Sequence, residues 1–285
     1  MIEFIVEPFT YPFMVRALLA VTLAAATSSL IGTFSVLKNM SYISSALSHS
    51  IVPGVAIGYM LGDDSHDQLF WWACGTSVIS AVGMATLVNR LRISTDSAIS
   101  IIYAGMFALG IAIISTVRGF AVDLVHILFG NVLSVTSSDL TKILIMSLII
   151  TIITMIFFKQ IVIVTFDPIF AKSLRLNKTF ITYLQYVLLA LTVVVALQTV
   201  GIALVITLIV TPVSTALKLS KKLHYTIMLA AAFGIISGII GLYISFYANI
   251  AAGPSIALVC IMIFLFCLII ENFNRLNLKR KISAA

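Results

Sequence analysis

The chain has 285 residues, of which 61% are hydrophobic and only 9% charged. A water-soluble domain carries about 25% charged residues, so this composition excludes an ordinary globular protein and indicates repeated membrane crossings. The net charge of +7 does not signal a nucleic-acid partner, because the basic residues sit in short connections between apolar runs, the pattern that orients membrane proteins.

Apolar runs long enough to cross a bilayer occur at about 13–36, 41–61, 69–89, 96–117, 140–158, 180–200, 201–217, 224–246 and 254–271. The expected fold is therefore all-α: a polytopic transmembrane helical bundle of about nine spans, forming a single membrane domain over 1–285. The acidic start, Glu3 to Glu7, lacks the basic region of a signal peptide, so the first run is read as a retained span. The stretch from Phe120 to Ser134 is apolar but broken by Asp123, His126 and Gly130-Asn131, which suits a partial or interfacial helix. Only Gln198-Thr199-Val200-Gly201 separates the sixth and seventh runs.

Nine crossings put the termini on opposite sides, and charge decides which. With the C-terminus inside, 14 basic residues are cytoplasmic (Lys38, Arg90, Arg92, Lys159, Lys172, Arg175, Lys178, Lys218, Lys221, Lys222, Arg275, Lys279, Arg280, Lys281) and only Arg16, Arg118 and Lys142 are outside. The positive-inside rule then gives N-out and C-in. The longest cytoplasmic connection is 159–178. No GxxxxGK sequence followed by Ser or Thr occurs, nor HExxH or GxSxG, so the chain carries no phosphate-loop ATPase and no familiar hydrolase motif. If ATP drives it, another polypeptide hydrolyses the ATP. Cys74, Cys260 and Cys267 lie in apolar runs without paired spacing and read as small core residues.

The second run holds the most informative residue. At about 1.5 Å per residue from Ser41 to Leu61, His49 falls near the hydrocarbon midplane, where an ionisable side chain marks an ion or proton path by default. Ser41, Ser44, Ser45 and Ser48 line one helix face, and His49 follows Ser45 by four residues. Pro53 cannot donate to the His49 carbonyl, which is expected to become a free acceptor. Ser50, Gly54 and Gly58 form a ridge suited to close helix contact. On the residues alone, an ion path competes evenly with a structural reading, in which the serines bond back to the helix and His49 caps a neighbour. Pro212 is expected to free the Leu208 carbonyl and kink the seventh run, serving gating or only shape.

Elsewhere, Asp96 is read as a structural cap of the fourth span. His66, among Asp63, Asp64 and Asp67, could attract cations, although a solvated turn is the simpler reading. Asp123 and His126, three residues apart, could share a metal role or a structural hydrogen bond.

The string Leu37-Lys38-Asn39-Met40-Ser41-Tyr42, continued by Ala46-Leu47-Ser48-His49-Ser50-Ile51-Val52-Pro53-Gly54-Val55-Ala56, resembles the permease subunits of bacterial ABC importers for manganese, zinc and iron. So do Thr95 to Ile99, Asp123 to Asn131, Phe166-Asp167-Pro168 with Ala171-Lys172, Thr199 to Pro212, and Ala252-Gly253-Pro254-Ser255. The resemblance implies a multi-pass protein of the bacterial plasma membrane. It implies as partners a second permease subunit (homo- or heterodimer), a cytoplasmic ABC ATPase dimer and an extracellular metal-binding protein. It also implies a coupling helix around Phe166, Asp167, Pro168, Ala171, Lys172 and Arg175.

Manganese is the expected cargo, with zinc or iron (or a chelate) as the alternative, and no cofactor is expected to be bound permanently. Two positions depart from the family pattern. Ser45 replaces the aspartate thought to line the metal path with the histidine, and Arg175 stands where glycine commonly closes the coupling helix. Arg175 either contacts the ATPase or continues the helix. The rival within transport is an ATP-independent secondary transporter, which should show a carboxylate-rich midplane; this chain has few acids there.

Overall fold

In the computed structural model, residues 7–61, 66–116, 132–201 and 205–283 are described, and every regular element among them is helical. A 3-10 turn, Glu7–Thr10, precedes α1 (Pro12–Leu37). The chain continues through α2 (Ser41–Ser50), α3 (Val52–Leu61), α4 (His66–Asn89) and α5 (Thr95–Ser115). A short 3-10 turn, Val132–Ser134, leads into α6 (Ser137–Ile156), α7 (Phe158–Phe166) and α8 (Pro168–Ser173). The last elements are α9 (Lys178–Val200), α10 (Val205–Leu219), α11 (Leu223–Ala248) and α12 (Ala252–Ser283).

Among the described residues, seven helices are long and apolar enough to cross a membrane: α1, α4, α5, α6, α9, α11 and α12. The run at 41–61, expected as one span, is instead two ten-residue helices broken at Ile51. The run at 201–217 forms the 15-residue α10, which continues through Pro212. Gly201, at φ 84°, ends α9 in a backbone region that residues with a Cβ rarely adopt, and so separates the sixth and seventh runs.

Local chemistry sets the helix ends. Pro12 begins α1, where its missing N–H is no loss. Ser94, not Asp96, caps α5: its hydroxyl accepts the Ser97 amide at 3.2 Å, while Asp96 lies within the first turn. The serine sits one residue before the helix, where its oxygen can reach back to a free amide. Thr136 and Asp139 form a reciprocal capping box on α6.

α1 is the central helix, with 78% of its best spanning window buried; it packs along α11, α9, α10 and α6. α5 lies at the periphery, with 17% buried. Small residues allow the close packing. Gly234 and Gly238 lie beside Ala25 and Val21 of α1, and a Cβ on Gly241 would sit 2.5 Å from the Ile256 Cα of α12. Polar contacts add register between α4 and α9: Ser77 donates to the Ala190 carbonyl at 3.3 Å, and Thr86 and Tyr183 share a 2.8 Å hydroxyl contact. The three cysteines are free and buried, as small core residues would be.

Gly241→Ala is expected to lower stability by about 1–3 kcal/mol, since the neighbouring backbone must move. Gly75→Ala, whose Cβ would meet nothing within 4 Å, should leave the melting temperature in detergent unchanged. Equal melting curves for the two variants would contradict this packing.

Candidate metal path and coupling segment

The candidate path residues sit at the break between α2 and α3. Pro53 has no amide to continue the helical ladder, so the chain bends at Ile51 and resumes as α3, where Val55 donates to the Ile51 carbonyl at 3.1 Å. The sequence predicts an unpartnered His49 carbonyl. Instead, the bend turns the Ile51 amide toward that oxygen, and the acceptor is occupied. Proline removes one donor, and the local turn supplies another.

Most of the serine face is satisfied by its own helix. Ser44 donates to the Ser41 carbonyl at 2.6 Å, Ser48 to Ser45 at 2.7 Å and Ser50 to Ala46 at 2.7 Å. Ser41, Ser45 and His49 are half-buried, and Ser45 and His49 lie one turn apart. The His49 Nδ1 atom is buried, with no hydrogen-bond partner among the described residues. The imidazole stands edge-on to Tyr103, at 5.3 Å and 79°, and to Phe107, at 5.8 Å and 85°. These two rings of α5 stack on each other at 5.9 Å. The aromatic wall escaped the sequence reading, although its i, i+4 spacing on the fourth span was a readable signal.

The bend is clamped from both sides. A Cβ on Gly54 would lie 2.2 Å from Thr76 Oγ1 and 2.5 Å from the Trp72 carbonyl of α4. One on Gly110 of α5 would lie 2.7 Å from Val52 and 3.0 Å from the Pro53 nitrogen. Gly58 continues the contact with α4 at Leu69 and Trp72. Pro212, buried within α10, stands three residues after Ile209, whose carbonyl would lie 2.3 Å from a Cβ on Gly32 of α1. Among the described residues no group of three or more His, Cys, Asp or Glu side chains converges. One imidazole and one hydroxyl make a weak, neutral donor pair, suited to brief contact with a cation and not to a closed metal cage.

The second region lies at 158–176. Asp167 caps α8, its carboxylate accepting the Ile169 and Phe170 amides at 3.1 and 2.8 Å, with Pro168 at the first helical position. Leu176 donates to the Ala171 carbonyl and Arg175 to Lys172, both at 3.0 Å, closing the helix in a Schellman motif. Arg175 holds φ 55°, the left-handed position that favours glycine, so it ends the helix and does not continue it. Ala171 is buried toward the body. Phe166, Ile169, Phe170 and Leu174 are exposed, Ile169 at 82%, beside the exposed Lys172 and Arg175. The short helix thus presents an exposed apolar patch rimmed by cations.

Asp123, His126 and the loop at 62–65 lie outside the described residues, as do the side chains of His66 and Asp67.

Residues 10–271 match the model of the ABC 3 transport family. The manganese transport system membrane protein MntC of Listeria innocua is 41% identical over 254 residues, 89% of each chain. The chelated iron transport system membrane protein YfeC of Yersinia pestis is 34% identical over 268 residues, 93% of this chain and 88% of that one. Among solved structures, PsaBC from Streptococcus pneumoniae in complex with Fab matches at a TM-score of 0.82 and 34% identity, covering 94% of this chain and 95% of that one. The bent His49 helix, the apolar helical bundle and these matches lead to one assignment: the chain belongs to the ABC 3 transport family and is a multi-pass permease of the bacterial plasma membrane.

Proposed function

We propose that this chain is the membrane-spanning subunit of an ATP-driven importer of divalent transition metal, with manganese as its cargo. The observation that carries this reading is His49, held with Ser45 at the bend of a broken membrane helix and walled by Tyr103 and Phe107, with no ligand cage around it. A single neutral imidazole lets an ion pass where a full ligand set would retain it. The manganese choice is supported by the name of the Listeria relative; iron or zinc is the alternative, and the Yersinia relative's name favours iron.

The seven long helices, the broken α2–α3 pair and α10 together make nine crossings, with N-out and C-in orientation from the distribution of basic residues. The segment 159–178 is then cytoplasmic. Within it, Phe166, Asp167, Pro168, Ala171, Lys172 and Arg175 build the surface that docks on a separate ATPase, which binds and hydrolyses the ATP. A second permease subunit completes the pore, and an extracellular binding protein delivers the metal. The metal is cargo, and no cofactor is held permanently. Pro53, Gly54, Gly58 and Pro212 set the packing about which access alternates.

Three outcomes test this reading. In a deletion strain grown under metal limitation, elemental mass spectrometry should show cellular manganese restored by the wild-type chain and not by His49→Ala at equal membrane levels. Full restoration by His49→Ala would falsify the path, and a loss of iron or zinc instead would reassign the cargo. Ile169→Asp, which puts a charge into the apolar docking patch, should weaken co-purification with the ATPase by roughly tenfold or more, about 1.4 kcal/mol. Ser45→Asp adds a charged oxygen donor beside His49 and should tighten manganese binding by about tenfold in calorimetry of the purified protein. Unchanged affinity would remove Ser45 from the path.

A further inference from the structure

A polar chain crosses the packing of three helices near the docking segment. The Lys38 ammonium, just past the end of α1, donates to the Gln185 side-chain oxygen of α9. Gln185 is buried, and its Nε2 donates to Thr165 Oγ1 of α7 at 3.3 Å. The Thr165 hydroxyl in turn donates to the Ile161 carbonyl at 2.7 Å. Burial, and next the neighbouring Lys178, lower the Lys38 pKa to about 8, so the charged amine is costly where it sits and the amide oxygen offsets part of that cost.

The two ends of this chain stand at mechanically useful points. Thr165 lies two residues before Asp167, the cap of α8. Lys38 lies three residues before Ser41, where the helix bearing His49 begins. The corner between them and α2 is stiff. Asn39 adopts φ 57°, its amide donates to the Val36 carbonyl at 3.0 Å, and the Met40 amide donates to Ser35 at 2.8 Å, a Schellman closure of α1. A displacement of Lys38 therefore carries the start of α2 with it.

Beside the chain lies a small cavity of about 20 Å³, lined among others by Ser35, Lys38, Ile161 and Gln185. It has room for about one water. The Ser35 hydroxyl is buried, with no hydrogen-bond partner among the described residues, and so offers the Lys38 amine a second acceptor in the same cavity. Coupling between distant sites needs an element with two discrete arrangements, and the Lys38 amine, bonded to Gln185 and sharing its cavity with the Ser35 hydroxyl, is the candidate for one.

We propose that the Lys38–Gln185–Thr165 chain is the linkage by which movement of the docking segment reaches the His49 helix, with Gln185 as its positioning residue. This rests on the reading of 159–178 as the segment that meets the ATPase. Removing the amide cuts the link while leaving the docking surface and His49 untouched.

The test uses the assembled transporter in lipid nanodiscs, with the buried cysteines replaced by alanine and a spin label attached through Tyr42→Cys, an exposed position on α2. Nucleotide binding should shift the label spectrum in the otherwise wild-type protein. In Gln185→Leu the shift should fall at least fivefold while ATP hydrolysis stays within twofold. Gln185→Glu, which keeps the acceptor for Lys38 but loses the donor to Thr165, should lose the shift as the leucine variant does.

Thr165→Val, which cuts only the far end, gives the same reading if Gln185→Leu does not assemble. A full shift in the leucine or valine variant overturns the linkage, as does no shift in the wild type. So does a fall in hydrolysis that matches the fall in the shift, which would mark a merely structural residue. Manganese uptake is measured on the same variants reconstituted in sealed proteoliposomes. Its absence beside an intact label response would reject the manganese reading and leave the linkage standing.

Discussion

Backbone polar groups have no water to bond in the hydrocarbon core, and this constraint decides where the chain can depart from a helix. It does so at Ile51, which is fully buried. The departure is tolerable there because the bend finds its own donor for the His49 carbonyl and because α4 and α5 close around it at Gly54 and Gly110. The glycines bring two neighbouring backbones close against the break between α2 and α3. A Cβ at either glycine would force that packing apart.

The docking end follows a different rule. Outside the apolar body, α8 is too short to be stable by propensity, so its ends are specified in detail. Asp167 satisfies the first amides, Pro168 fixes the entry, and Arg175 accepts a left-handed backbone so that two carbonyls are paired at the other end. This leaves one face, Ala171, against the body and presents the bulky apolar residues outward. A short helix with both ends specified in this way keeps its shape without help from its length.

Much of this was legible in the sequence. The first run, expected at 13–36, became Pro12–Leu37, and the other long spans began within a few residues of their expected starts, although the last, expected to end at 271, runs on to Ser283. His49 stood out by its depth in an apolar run and Ser45 by the serine spacing and the family resemblance, and both side chains are half-buried in the fold. What escaped was geometry that depends on a partner. Pro53 reads as a lost donor, but only the folded bend shows Ile51 replacing it. The Tyr103–Phe107 pair reads as two ordinary apolar residues until α5 is packed against α2. Arg175 reads as a charge, because a side chain does not announce a positive φ. Ser94 was passed over as a cap in favour of Asp96, since a carboxylate in a first turn looks similar in one dimension.

The serine face of α2 has a consequence of its own. Ser44 and Ser48 on that face, and Ser50 beside it, each return their proton to a carbonyl of their own helix, whereas the buried His49 Nδ1 has no partner among the described residues. A charge reaching this face would therefore meet one uncommitted imidazole nitrogen among hydroxyls whose protons are already held by their own backbone.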